Sequence, residues 1–195
     1  GSNLSSGVKQ IFSNRFSFAA LKDDGTVVTW GLYTATSSDE ITKFSNVLKI
    51  YSNDASYAAL KNDGSVVTWG FRFYGGEPNI FDNDNGNIVK SVNSKLSSGV
   101  IDIFSAERAF AAIKIDGSVV TWGNDCCGGD SSPSKLYPSG SNLSSSVIQI
   151  FSTDKAFAAL KNDGTVVTWG DNEYGANSSS SKLYPYGSNL SDTSN

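Results

Sequence analysis

The sequence repeats itself four times, and that periodicity restricts the fold before any single element is assigned. Four segments read FSFAALKDDGTVVTWG (16–31), SYAALKNDGSVVTWG (56–70), AFAAIKIDGSVVTWG (109–123) and AFAALKNDGTVVTWG (156–170). Each follows a related run: VKQIFS, VLKIYS, VIDIFS or VIQIFS. Trp30, Trp69, Trp122 and Trp169 close the units at spacings of 39, 53 and 47 residues, so the variation lies in the connectors.

Each unit reads as three strands. The first is β-branched and aromatic, as in Val147 to Phe151, and the second is an Ala-Ala segment such as Phe157 to Lys161. An x-Asp-Gly turn follows, whose glycine adopts positive φ and closes a short hairpin. The third strand, such as Thr165 to Trp169, is stopped by glycine. The Ala-Ala and Val-Val doublets break strict alternation, which predicts strands covered on both faces. A hairpin apolar on both faces is not stable alone and needs a neighbour on each side, as in radially stacked blades.

Composition narrows the chemistry. Among 195 residues there is no histidine, which excludes Ser-His-Asp and Cys-His nucleophile systems and imidazole metal ligands. There is no methionine either, so the chain reads as a processed product or a piece of a longer one. A net charge of −4 lacks the basic footprint that nucleic acid or an anionic membrane requires. No apolar run approaches the roughly 20 residues of a membrane span.

The connectors are rich in Ser, Gly and Asn. Asn124 to Ser144 aligns without a gap on Asp171 to Ser191, and both contain Lys-Leu-Tyr-Pro, which suits a short edge strand. Ile80-Phe81 and Ile88-Val89 flank an Asn-Gly turn and read as an inserted hairpin. The units divide as 1–44, 45–95 with that hairpin, 96–139 and 140–186. Residues 187–195 begin Gly-Ser-Asn-Leu-Ser again, as residues 1–5 and 140–144 do, and read as the start of a further repeat or a docking tail.

The run A-L-K-x-D-G-x-V-x-x-W-G, followed by Asp171-Asn172-Glu173-Tyr174-Gly175, resembles the regulator of chromosome condensation repeat family. The resemblance spans all four units and implies a β-propeller with one four-stranded antiparallel blade per repeat. It departs from the family in lacking histidine before the A-L pair, where Ser17, Ser56, Ala109 and Ala156 stand, and in having four units where seven are usual. The expected architecture is therefore an all-β, propeller-like array of four antiparallel blades, either four-bladed or a segment of a larger propeller.

The four tryptophans are expected in the core between blades, not on a stacking platform. Asp24, Asp63, Asp116 and Asp163 are hairpin-turn residues, not acid–base groups. Asp82 and Asp84 suggest a calcium loop, but the spacing fails, since Phe81 and Val92 fall at ligand positions. Cys126 and Cys127 are adjacent and leave a vicinal disulfide, an intermolecular cross-link, soft-metal binding and two free thiols all open. Sequons at Asn3, Asn142, Asn177 and Asn189 offer glycan attachment if the chain is secreted.

The turns between first and second strands vary in charge while the flanking strands hardly change, as a surface rim does. Arg15, Asp54, Arg108 and Lys155 in these turns, with Phe71, Arg72, Phe73 and Tyr74 in a connector, are the candidate partner-binding residues. Tyr137, Tyr184 and Tyr186 join them, and extra blade-edge packing is the competing role. These features favour a non-enzymatic interaction or structural module with no cofactor, binding another protein or itself as a homo-oligomer or part of a longer array. The alternative is an inhibitor or regulator propeller acting on an enzyme or small GTPase. Low charge and abundant Ser, Asn, Thr and Gly favour an extracellular or cell-surface setting.

Overall fold

The computed structural model describes residues 4–34, 44–81 and 88–178. Blade 1 contains β1 (Val8–Ser13), β2 (Ser17–Lys22) and β3 (Val27–Gly31), and blade 2 contains β4 (Val47–Ser52), β5 (Ser56–Lys61) and β6 (Val66–Gly70). A hairpin of β7 (Asn79–Phe81) and β8 (Ile88–Ser91) follows. Blade 3 contains β9 (Val100–Ser105), β10 (Ala109–Lys114) and β11 (Val119–Asn124). Blade 4 contains β12 (Val147–Ser152), β13 (Ala156–Lys161) and β14 (Val166–Gly170). Each blade is an antiparallel three-strand meander with its strands in sequence order, so the chain is an all-β array of four sheets among the described residues.

The local chemistry is the same in every blade. Between second and third strands, the aspartate Oδ1 accepts from the backbone N–H two residues on and from that residue's hydroxyl, as Asp24 does from Thr26 at 2.9 and 2.6 Å. Asp63, Asp116 and Asp163 do the same with Ser65, Ser118 and Thr165. The glycine after each aspartate has φ between 74 and 82°, a region where a Cβ is strained. Across each hairpin an aromatic residue stacks on the tryptophan: Phe18 on Trp30, Tyr57 on Trp69, Phe110 on Trp122 and Phe157 on Trp169. Such pairs contribute about 0.5–1.5 kcal/mol beyond the area they bury.

The core lies between blades, not within them. One cluster joins Ala19, Leu21 and Val27 of blade 1 to Val47, Ile50, Tyr57, Ala59 and Trp69 of blade 2. A second joins Ala58 and Leu60 to Ile103, Phe110, Ala112 and Trp122. The third joins Ala111 and Ile113 to Ile150, Phe157, Ala159 and Trp169. The doublets now have a physical reason. Ala58 faces blade 3 while its neighbour Ala59 faces blade 1, because successive strand side chains point to opposite sides.

Two expectations need correction. The hairpin assigned to blade 2 forms, but β7 pairs with β11 in parallel, so it extends the sheet of blade 3. The connector leaving blade 2 covers the otherwise open outer edge of its neighbour, whose backbone groups need partners. Lys135-Leu136-Tyr137-Pro138 does not form an edge strand. Residues Pro133–Lys135 make a 3-10 turn, and Tyr137 then pairs singly with Thr168 of blade 4. Pro138 has no N–H with which to continue the ladder.

Trp69, Trp122 and Trp169 are buried, whereas Trp30 is only half-buried. No described blade packs on the side of blade 1 that Trp30 faces. Asn3, Asn189, Asp82, Asp84, Tyr184, Tyr186 and residues 187–195 lie outside the described residues.

Candidate protein-binding surface

The turn after each first strand and the exit of each third strand meet at one edge of the blade. Backbone bonds join them: Leu32 N–H to the Phe16 carbonyl, Phe71 to Ala55, Asn124 to Arg108 and Asp171 to Lys155. The turns are held by short polar side chains. Asn14 Oδ1 accepts from the N–H groups of Phe16 and Ser17, and Asn53 Oδ1 from those of Ala55 and Ser56. Thr153 Oγ1 accepts from the Ala156 N–H, whereas blade 3 has Ala106 at this place.

The third-strand exits of blades 2, 3 and 4 wind into 3-10 turns, Arg72–Tyr74, Asp125–Cys127 and Asn172–Tyr174, each ended by a glycine in the left-handed region. Asn53 Nδ2 donates to the Tyr74 carbonyl at 2.6 Å, and Thr153 Oγ1 to that of Tyr174 at 2.9 Å. Loop and turn are thereby fixed to each other, and the aromatic groups they carry are presented on a rigid base.

A continuous strip of rings results. Phe16 meets Tyr33 edge to face at 5.6 Å, Tyr33 meets Phe71 at 4.9 Å, and Phe71 touches both Phe73 and Tyr74 at 5.4 Å. Cations cap the rings at separations typical of cation–π contact. The Arg15 guanidinium lies 5.7 Å from Phe16, that of Arg72 4.7 Å from Phe73, and that of Arg108 5.0 Å from Tyr74. Arg108 Nε also bonds Glu107 at 2.8 Å. Phe16, Tyr33, Arg15 and Arg72 are exposed, and Phe71, Phe73, Tyr74 and Arg108 half-buried. Lys155 stands apart from this strip, with its Nζ 4.5 Å from the Tyr174 ring, whose hydroxyl holds the ammonium pKa up.

Asp54 is placed differently again. It belongs to a cleft of about 470 Å³ with Glu107 and Asp154, one carboxylate from each of blades 2, 3 and 4. Backbone bonds link the same turns from blade to blade: Arg15 N–H to the Asp54 carbonyl, Asp54 to Glu107, and Glu107 to Asp154. Tyr33 and this acidic row were not singled out in the sequence. Tyr33 has no counterpart at the same place in the other units, and the acidic row only emerges once the turns are aligned by their bonds.

Cys126 and Cys127 occupy the places of Phe73 and Tyr74 in blade 3. They are unjoined thiols with Sγ atoms 2.9 Å apart. Cys127 is buried among blade 4 side chains, and its contact with Cys126, together with burial, raises its pKa so that it stays protonated. Among the described residues no group of three or more Cys, Asp or Glu side chains could hold a metal ion. The four turn aspartates have lowered pKa values because each carboxylate accepts the hydroxyl and backbone N–H bonds described above. Those bonds are structural. Of the sequons, Asn142 is exposed, with Oδ1 accepting from Ser144, and Asn177 is half-buried.

A fold of like blades packed face to face, with connector loops gathered along one rim, defines a propeller-type repeat protein. Residues 147–176, blade 4 from its first strand through its 3-10 turn, match the model of the regulator of chromosome condensation (RCC1) repeat. No curated protein matches the sequence. Among solved structures, Prp20p from Saccharomyces cerevisiae superposes with a TM-score of 0.54 at 18% identity, covering 84% of this chain and 44% of that one. Its structure was described with its binding properties to Gsp1p and histones. The CRINKLY WD40 ectodomain of the Arabidopsis thaliana receptor kinase ACR4 gives 0.53 at 15% identity, covering 84% of this chain and 53% of that one. Human WBSCR16 gives 0.50 at 19%, covering 84% and 47%. The chain thus spans about half the length of these structures, and at such identities the likeness is one of fold.

Proposed function

We propose that this chain is a non-enzymatic protein-interaction module whose partner docks on the aromatic–arginine strip running from Phe16 to Arg108. The observation that carries this reading is the strip itself: five rings in mutual contact, capped by three arginines and backed by loops fixed through Asn14 and Asn53. Aromatic and arginine side chains lose little entropy when already packed, and they concentrate binding energy at interfaces. Prp20p, a propeller of similar fold, is described as binding proteins, which supports the class of function without indicating the partner. Low charge and abundant Ser, Asn, Thr and Gly support an extracellular or cell-surface setting.

The test is capture by photo-cross-linking through a probe placed at Leu32, beside the strip. We expect specific cross-linked proteins with the native chain and none with an Arg15→Glu, Arg72→Glu variant that melts at the same temperature. Equal capture by both would contradict the assignment.

A further inference from the structure

Each blade has a leading face toward the preceding blade and a trailing face toward the next. The contact between them is built three times within the chain, with one backbone bond common to all three and an indole bond at two of them, while Trp69 Nε1 at the first is buried with no hydrogen-bond partner among the described residues. The N–H of the first-strand valine donates to the turn glycine of the preceding blade: Val47 to Gly25, Val100 to Gly64 and Val147 to Gly117, at 2.9–3.0 Å. The indole Nε1 donates to the glycine carbonyl that ends the preceding 3-10 turn, Trp122 to Gly75 at 3.2 Å and Trp169 to Gly128 at 3.0 Å. At both contacts the stacked aromatic covers that glycine so closely that a Cβ on Gly128 would lie 2.5 Å from Phe157.

Two faces carry the same groups with no described blade against them. On the leading face of blade 1, Ile11 is 58% exposed where Ile50, Ile103 and Ile150 are each 2% exposed. Phe18 there is 45% exposed where Phe110 is fully buried. On the trailing face of blade 4, Phe151 is 53% and Val166 46% exposed. The socket glycine Gly175 keeps its φ of +101°, as Gly75 and Gly128 keep theirs, yet nothing stands within 4 Å of where its Cβ would be. The turn glycine Gly164 is equally open, unlike Gly25, Gly64 and Gly117. Isolated apolar residues need no explanation, but here two complementary halves of one established interface are displayed at opposite ends of the array.

We propose that the trailing face of blade 4 docks the leading face of blade 1 of a second copy of this chain, head to tail. Trp30 Nε1 then donates to the Gly175 carbonyl, the Val8 N–H to the Gly164 carbonyl, and the Asp154 N–H to the Arg15 carbonyl. Ile11 and Phe18 pack on Phe151, Leu160 and Val166. The contact is heterologous, so it either closes on itself or continues as a series. The inference does not rest on the loop strip, whose side chains lie along the rim; the two share only the Arg15 turn, through its backbone carbonyl.

The test is sedimentation velocity of the 195-residue chain over a range of concentrations, native and with Ile11→Asp or Phe151→Asp. Both side chains are exposed in the single copy, so each variant should melt as the native chain does. We expect the native mass to rise from 20.7 kDa to twice that value or beyond, and each variant alone to stay at 20.7 kDa. A mixture of the two variants should recover a dimer, because one supplies an intact blade 4 face and the other an intact blade 1 face. A native mass fixed at 20.7 kDa would overturn the proposal and leave the faces to another occupant. Association that survives either substitution, or a mixture that stays monomeric, would overturn it as well.

Discussion

At the scale of single residues, the same side chain has different consequences according to the blade that holds it. Trp122 and Trp169 are enclosed by two blades and bonded through Nε1, while Trp30 has only its own hairpin and the exposed Phe18 beneath it. Trp122→Ala or Trp169→Ala should therefore cost about 3–5 kcal/mol in urea unfolding of the dilute chain. Trp30→Ala should cost distinctly less, and an equal loss would show that blade 1 is covered in a way the fold does not provide. The turn aspartates give a pH dependence of known sign. Their folded pKa values lie below the ordinary 3.8, so they favour the folded state above that value and lose this contribution as pH falls through the folded pKa. The thermal midpoint should fall between about pH 5 and 2, and Asp→Asn at all four turns should flatten that segment of the curve. An unchanged slope would mean that these bonds do not distinguish folded from unfolded chain.

At the scale of the element, blade and interface are read from the same residues. The hairpin was legible in the sequence because its turn chemistry is local: Asp63-Gly64-Ser65 closes itself through bonds two residues apart. The two-sided burial was legible in the Ala58-Ala59 doublet. What the doublet does not encode is which connector completes which sheet, because β7 reaches β11 across more than forty residues, by a pairing that depends on neither strand alone. Similarly, Lys135-Leu136-Tyr137-Pro138 has an edge-strand composition, but the proline ends pairing after Tyr137. The glycine sockets provide a test at this scale. Gly175→Ala should cost only the left-handed strain of about 1–2 kcal/mol. Gly128→Ala adds a collision with Phe157 and should cost about 1–3 kcal/mol more. Equal losses in the dilute chain would contradict the packing of blade 4 on blade 3.

At the scale of the whole molecule, stability follows from neighbours. No described blade has a core of its own, so each contributes in proportion to the faces it has covered, and blades 1 and 4, each with one face against no described blade, should open first. The candidate binding strip was legible only in part, for a related reason. Phe71, Arg72, Phe73, Tyr74, Arg15 and Arg108 could be selected by type, yet their union depends on Tyr33 bridging blades 1 and 2 and on Arg108 reaching back to Tyr74. Asp54 and Lys155, chosen on the same grounds, fall outside it, because their turns direct them to the acidic cleft and to Tyr174.

The central claim is that the repeated tryptophans join blade to blade and that the first of them has no described blade to join in the single copy. Hydrogen exchange of the four indole N–H groups, followed by NMR at a concentration where the chain sediments at 20.7 kDa, tests it directly. The Trp122 and Trp169 indoles should exchange slowly, through opening of the blade contacts, and the Trp30 indole should exchange far faster. Protection of Trp30 equal to that of Trp122, or rapid exchange at all four, would contradict the account.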